Sequence, residues 1–591
     1  MTVEPKVVAA IDFGTHASGF AWAEKSRLND DPLTRKVTFS AGHAGARGGY
    51  PKNLTAILVD KDGRVVAWGH AARARWATAS DAGNPDQLGY AYAFKMALTG
   101  GDAGPGVPAV GGSMSLAGRG QVRSAVAGYL REIRQAALAD ITAAGGCTEA
   151  EIRWCITIPA IWDEQERSAM RQAACDAGFP DDDERLLLSI EPEAAALHCQ
   201  LRLAELAVLA GGPGNAGKPG TRFMVVDCGG GTVDITAYEA SGEAGRLDEI
   251  GVATGGRLGS ERINHAFRVT VLARRFGAEA MRRFERENAA DLLQLSQDWE
   301  QATITAGAGH GRDEAGHFAG PVTISIPLAI WEALDAAARA RLAGQANGKP
   351  QRLVLDPGDL KALFDTVTTP IVASVEEQLA NIRRTCGPGA EPEAVVLVGG
   401  LAMSPYVREA LRRRFGAEYR ILVPANPALA VLEGAVHYAY NPRAFASRRS
   451  KYTYGFALAL PWEAGLDSPM RKFRDKDQAM MCRDRFAVAV RRLDRVAVDE
   501  PFPFVVEPSF TDSSQVTVQL FKTRAADPRY TDDEGCEPVG ELAVDVSETA
   551  GQAERPLALL FYFGRSQVQV AAIDLTTGKK FQAAIGFEQV P

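Results

Sequence analysis

Long apolar runs are missing from this 591-residue chain: none approaches the roughly 20 residues that span a bilayer, so no membrane partner is expected. The apolar stretch Val7 to Ile11 is short and runs straight into Asp12, so no signal peptide is expected either. Cysteine is sparse. The eight lie scattered without a Cys-x-x-Cys pair, which excludes a disulfide framework and fits a reducing, cytoplasmic location. A basic surplus is lacking: the net charge is -8, which argues against a nucleic-acid partner. The histidines show no metal-ligand spacing. No Gly-x-Ser-x-Gly elbow, tandem repeat or coiled coil is present, so a serine hydrolase is not expected. What remains is a composition 46% hydrophobic and 23% charged, that of a globular protein long enough for several domains.

The most informative stretch is Val225-Val226-Asp227-Cys228-Gly229-Gly230-Gly231-Thr232-Val233-Asp234. An apolar strand ends on a carboxylate, three glycines and a hydroxyl follow, and a second carboxylate closes the run. Glycine lets backbone N–H groups approach phosphate closely, and the flanking carboxylates suit a hydrated Mg²⁺. Val7-Val8-Ala9-Ala10-Ile11-Asp12-Phe13-Gly14-Thr15-His16 has the same form. Two such runs, each opening half of a long α/β region, suggest duplicated lobes around one phosphate chain.

Strands are expected at Ile152 to Ile158, Leu186 to Ile190 and Ala394 to Val398. Helices are expected at Asp163 to Ala177, Glu261 to Arg275, Glu279 to Thr305 and Tyr406 to Phe415. The glycine-rich stretch 209–220 reads as a flexible loop. Within it, Gly212 to Lys218 fits G-x-x-x-x-G-K by letter, but Pro219 stands where a P-loop needs its hydroxyl. Beyond Tyr440 the helical patterns stop. Arg443, Arg448, Arg449 and Lys451 form a basic connector, and period-two runs such as Gln515 to Leu520 follow, with a turn at Asp574 to Lys579. The expected division is 1–205, 206–442, a connector 443–451, and a β-sandwich-like region 452–591.

Three more segments complete a pattern: Ile190-Glu191-Pro192-Glu193, Val398-Gly399-Gly400-Leu401 and Asn426 to Ala435. Together with the Asp12 and Asp227 runs they resemble the five signature segments of the actin-like ATPase superfamily. Ile156 to Ala160 with Arg167, and Gly255 to Glu261, resemble the seventy-kilodalton heat-shock (DnaK-type) chaperones, most of all their divergent type-twelve branch. The resemblance covers about 1–440 strongly and 500–591 weakly. It implies a two-lobed, ribonuclease H-like α/β fold, ATP/ADP and Mg²⁺ as cofactors, and protein or peptide clients and co-chaperones as partners.

The resemblance also implies roles. Gly14, Thr15, Gly229, Gly230, Gly231 and Thr232 would cradle phosphates. Asp12 and Asp227 would hold hydrated Mg²⁺, with Asp234 positioning metal-bound water. His16 stands in the first phosphate turn, touching phosphate or filling a polar site behind it. Lys95 would offset charge on the transferred phosphoryl, and Glu191 would orient or deprotonate water. Pro159 and Arg167 would relay nucleotide state. Glu300, Gly399 and Gly400 belong to the nucleoside end. There the chain departs from the family: Thr303 and Ile304 replace basic residues, and Met403 replaces an arginine that stacks on the base. Weaker nucleotide binding is expected. No helical lid is expected after the β region. The reading is an ATP-driven, slowly hydrolysing chaperone-like switch; the alternatives are a sugar kinase of the same superfamily, and a non-hydrolysing sensor or filament protein.

Overall fold

Val7–Asp12 and Arg222–Cys228 are apolar along almost their whole length and buried on both faces, as strands covered by other elements on either side must be. Each turns back at once into an antiparallel neighbour, Ala17–Glu24 and Val233–Ala240. Each also carries a parallel strand on its other edge, Ile152–Ile158 and Ala394–Val398. The computed structural model describes residues 4–28, 36–40, 50–81, 88–99, 111–112, 116, 118–145, 147–209, 218–241, 246–309, 318–498, 500–564 and 568–584. The stretch 210–217, and with it most of the Gly212 to Lys218 motif, lies outside them.

The first sheet runs Leu186–Ile190, Ile152–Ile158, Val7–Asp12, Ala17–Glu24, Thr38–Phe39, with Lys52–Leu54 also on Ala17–Glu24. The second runs Arg420–Leu422, Ala394–Val398, Arg222–Cys228, Val233–Ala240, Leu247–Gly256, then Phe445–Arg449 and Arg495–Ala497. The first five strands of each follow the same order. Two helices, Glu191–Leu209 and Ala430–Tyr440, lie between the sheets. One apolar cluster joins Val8 and Ala10 of the first sheet, Val225 and Val396 of the second, and Ala195 and Ala435 of the helices. The helices cross so closely that a Cβ at Gly434 would strike the Ala194 carbonyl.

The expected strands at 152–158, 186–190 and 394–398 form as read. So does the helix Glu164–Asp176, capped by Asp163, whose side chain accepts from Gln165 N. The stretch Glu279 to Thr305 is two helices rather than one, Ala278–Glu287 and Ala289–Gly309. Asn288 breaks it at φ -130°, ψ 37°. The helix from Glu261 holds a π-helical turn at Phe267–Leu272.

Beyond residue 440 no α-helix occurs among the described residues. Two antiparallel sheets follow, of five and four strands. Their shared core takes Phe456, Leu520 and Val544 from one and Leu559, Phe561 and Val570 from the other. The basic segment expected as a connector is itself built into the second sheet. Phe445–Arg449 pairs with Leu247–Gly256 on one side and with Arg495–Ala497, a strand from the C-terminal region, on the other.

Candidate functional site

The two glycine-bearing turns face each other across one cleft of about 840 Å³. A Cβ at Gly230 would come within 2.8 Å of His16 Cβ, and one at Gly231 would land on the Thr15 hydroxyl, so only glycine lets the turns approach this closely. Their carbonyls are tied back. Gly14 O accepts from the Thr55 hydroxyl at 2.7 Å and His16 O from Thr55 N at 2.9 Å. Gly229, Gly230 and Gly231 O accept from Ser260, Glu261 and Gly259 N. The N–H groups of Gly14, Thr15, Gly230 and Gly231 have no acceptor among the described residues. Carbonyls held behind and N–H groups left in front make a concavity suited to an anion.

Around this end stand four carboxylates and two lysines. Strand register sets Asp227 directly opposite Asp234, and like charges so placed repel. Burial raises the Asp227 carboxyl far above the usual carboxylate range, and the charges of Glu191, Asp234 and Asp12 raise it further. Burial lifts Glu191 to about 7, although Lys95 pulls it down. The Lys95 ammonium donates to Glu191 Oε1. It also lies 5.4 Å from the Trp162 ring and 5.8 Å from that of Phe13, a buried cation among aromatic faces. Asp234 accepts from Ile161 N at 3.1 Å on Oδ1, while its Oδ2 is buried with no hydrogen-bond partner among the described residues.

Asp12 differs from Asp227. Its Oδ1 accepts from the Thr157 hydroxyl at 2.8 Å and its Oδ2 from the Lys52 ammonium at 2.5 Å. Burial would raise its pKa, but the charge and bond of Lys52 outweigh that and lower it. One oxygen of Asp12 is thus already taken by the partly buried Lys52 ammonium.

At the other end, His16 Nδ1 lies 2.8 Å from Glu261 Oε1, and Nε2 3.9 Å from Glu300 Oε2. Burial alone would lower its pKa, but Glu300 and Glu261 raise it to about 9. These three groups stand close enough to share a metal ion, and the two glutamates clamp the imidazole in a way that favours its protonated form. Glu300 and Thr303 lie on Ala289–Gly309, where the Thr303 hydroxyl donates to Glu300 O at 2.8 Å. The Ile304 side chain lies outside the described residues. Met403, in the short turn after Gly399-Gly400, is half exposed.

Every residue expected at the site from sequence lines this cleft except Asp234, which stands opposite Asp227 on the neighbouring strand. Sequence reasoning passed over Lys52, Thr55, Arg73 and Asn264. Nothing in Pro51-Lys52-Asn53-Leu54-Thr55 signals a site. Glu261 was legible within the Gly255 to Glu261 stretch but carried no role.

The paired sheets and the cleft between their turns make this a mixed α/β protein consistent with the actin-like ATPase fold of the seventy-kilodalton heat-shock proteins. The chain is 26% identical over 646 residues to Heat shock 70 kDa protein 12A of Homo sapiens, an alignment covering 98% of this chain and 91% of that protein. It is 27% identical over 649 residues to Heat shock 70 kDa protein 12B of Homo sapiens, with the same coverage. A Chaperone protein HscA homolog of Variovorax paradoxus (strain S110) matches at 29% over 47% of this chain and 36% of that protein. A family model described as a domain of unknown function (DUF8340) matches residues 217–424. Over nearly its whole length the chain is thus similar to the divergent type-twelve branch of the seventy-kilodalton heat-shock proteins. Among the described residues, no helix is long and apolar enough to cross a membrane.

Proposed function

We propose that this protein binds ATP and ADP in the cleft and passes the state of the nucleotide to its C-terminal β region, in the manner of a chaperone-like switch. The observation that carries the reading is the pair of facing turns with unpaired N–H groups, flanked by the buried Lys95 and the partly buried Lys52. Residues 1–205 and 206–442 act as two lobes, and 452–591 as a β-sandwich that meets protein partners.

At the phosphate end, the N–H groups of Gly14, Thr15, Gly230 and Gly231 hold phosphate oxygens. Lys95 turns from Glu191 toward the phosphoryl group in transfer, which frees Glu191 to orient and deprotonate water. A carboxyl held near 7 suits a general base at neutral pH. Hydrolysis is slow because the resting Lys95–Glu191 ion pair must open first. Glu300 and Asn264 receive the nucleoside, and Met403 covers the base without a cationic partner.

A continuous set of contacts supports coupling to the β region. Ile161 N donates to Asp234, and Ile161 O accepts from Lys451 Nζ at 3.2 Å. In the next turn of chain, Trp162 lies under Lys95, and Asp163 accepts from Lys522 of the β region at 2.7 Å. The Tyr454 hydroxyl donates to Glu164. On the β region Met470, Val505 and Phe510 are exposed, which suits contact with apolar stretches of a protein partner.

Titration calorimetry with ADP and ATP tests the binding, and limited proteolysis with and without ATP tests the coupling. The reading expects both to respond. Absence of heat with either nucleotide would contradict it. Phosphorylation of a sugar panel would favour the kinase alternative instead.

A further inference from the structure

Lys52 is placed with more care than a stray lysine requires. Its strand, Lys52–Leu54, pairs with Ala17–Glu24 so that Lys52 stands opposite Gly19, which is itself opposite Asp12. A Cβ at Gly19 would come within 2.8 Å of Lys52 Cγ, so the glycine makes room for the lysine stem. The stem runs partly buried into the cleft and sets Nζ 2.5 Å from Asp12 Oδ2. Across the cleft the Asp227 carboxylate makes no hydrogen bond or ion pair among the described residues. A Cβ at Gly399 would come within 2.5 Å of its Oδ1, so that side is closely packed too.

We propose that Lys52 is a built-in counter-cation for the nucleotide's phosphates. It occupies the place on Asp12 that a hydrated divalent cation would need, and it lends its remaining N–H donors to the phosphate oxygens. The ligand class is therefore a nucleoside di- or triphosphate taken up without an obligatory divalent cation. An ammonium has three donors, and Asp12 uses one. A fixed ammonium also needs no dehydration on arrival, unlike Mg²⁺, which gives up water reluctantly. The inference rests on the nucleotide-binding reading above.

The test is titration calorimetry of ADP into the full chain, in EDTA and again in millimolar Mg²⁺, for wild type, Lys52→Gln and Lys52→Arg. Wild type is expected to change affinity by less than about threefold between the two buffers. Lys52→Gln should lose about tenfold or more in EDTA, one charge-assisted contact, and regain most of it in Mg²⁺. Lys52→Arg should behave as wild type. Wild-type binding that vanishes in EDTA but stands in Mg²⁺ would overturn the inference and leave the nucleotide reading intact. Equal affinity of wild type and Lys52→Gln in EDTA would overturn it as well. No binding in either buffer would overturn both. Should Lys52→Gln not fold, the wild-type comparison decides alone.

Discussion

Arg448 forks onto Glu193, with Nε 2.6 Å from Oε1 and Nη2 2.7 Å from Oε2, both side chains buried. Glu193 stands two residues after Glu191 on the helix that opens at the cleft. The remaining arm of Arg448 donates to the Gly564 carbonyl of the C-terminal β region. One guanidinium thus ties the cleft helix to the far end of the chain in a bidentate geometry that lysine would not reproduce.

Removing one member of this pair should cost far more than removing both. Arg448→Met leaves a buried, unpaired carboxylate and should destabilise the protein by about 3–5 kcal/mol. The double variant Arg448→Met/Glu193→Gln should recover a substantial part of that. Urea unfolding of the four proteins in a double-mutant cycle measures the coupling; additive losses would argue against it.

The His16 clamp has a defined pH window. The folded pKa of His16 is raised to about 9, so its contribution is fully present below its ordinary value of 6.5 and lost as pH rises through 9. Glu261 is depressed by its bond to His16, which outweighs its burial, so its contribution is lost as pH falls below the ordinary carboxylate range. The melting-temperature difference between wild type and His16→Gln should be largest near pH 6 and vanish above pH 9. A difference independent of pH would count against the clamp.

Asp227 works the other way. Its carboxyl is raised, so the crowding of Asp227, Asp234, Glu191 and Asp12 weighs on the nucleotide-free protein as pH rises above the ordinary carboxylate value. Asp227→Asn should raise the melting temperature at pH 8 and give little gain at pH 4. Asp227→Ala should abolish phosphate release while leaving the circular dichroism unchanged. Undiminished release from a clean, folded preparation would refute the site.

Glu191→Gln should lower turnover about 10²- to 10⁴-fold, the usual range for a general base, with ADP affinity unchanged. In wild type, turnover should rise with pH through about 7, as Glu191 loses its proton. A flat profile would remove Glu191 from the role of base.

Restoring a cation over the base should strengthen binding. Met403→Arg is expected to gain about 0.5–2 kcal/mol, up to roughly thirtyfold in ADP affinity. Calorimetry reads this directly, and nanomolar ATP binding by wild type would contradict the weak affinity expected of Met403 and Thr303.

The phosphate end was legible because each of its parts is local. Asp12 and Asp227 end apolar strands, and glycines follow within two residues. What sequence could not show lies in contacts between distant residues. Lys52 is 40 positions from Asp12 in a stretch without a motif. Arg448 is 255 positions from Glu193, and arginines normally face solvent, so its segment read as a charged connector. The break at Asn288 was hidden because the flanking residues favour helix on both sides. The second of the two helices there, Ala289–Gly309, brings Glu300 to the cleft.

Hydrogen–deuterium exchange of the full chain with and without ATP follows both turns at once. Simultaneous protection of 13–17 and 229–232, the two facing turns, is expected, with a change at 160–164 beneath the β region. Exchange unaltered in both turns, or protection of only one, would contradict the claim that they hold one phosphate chain between them.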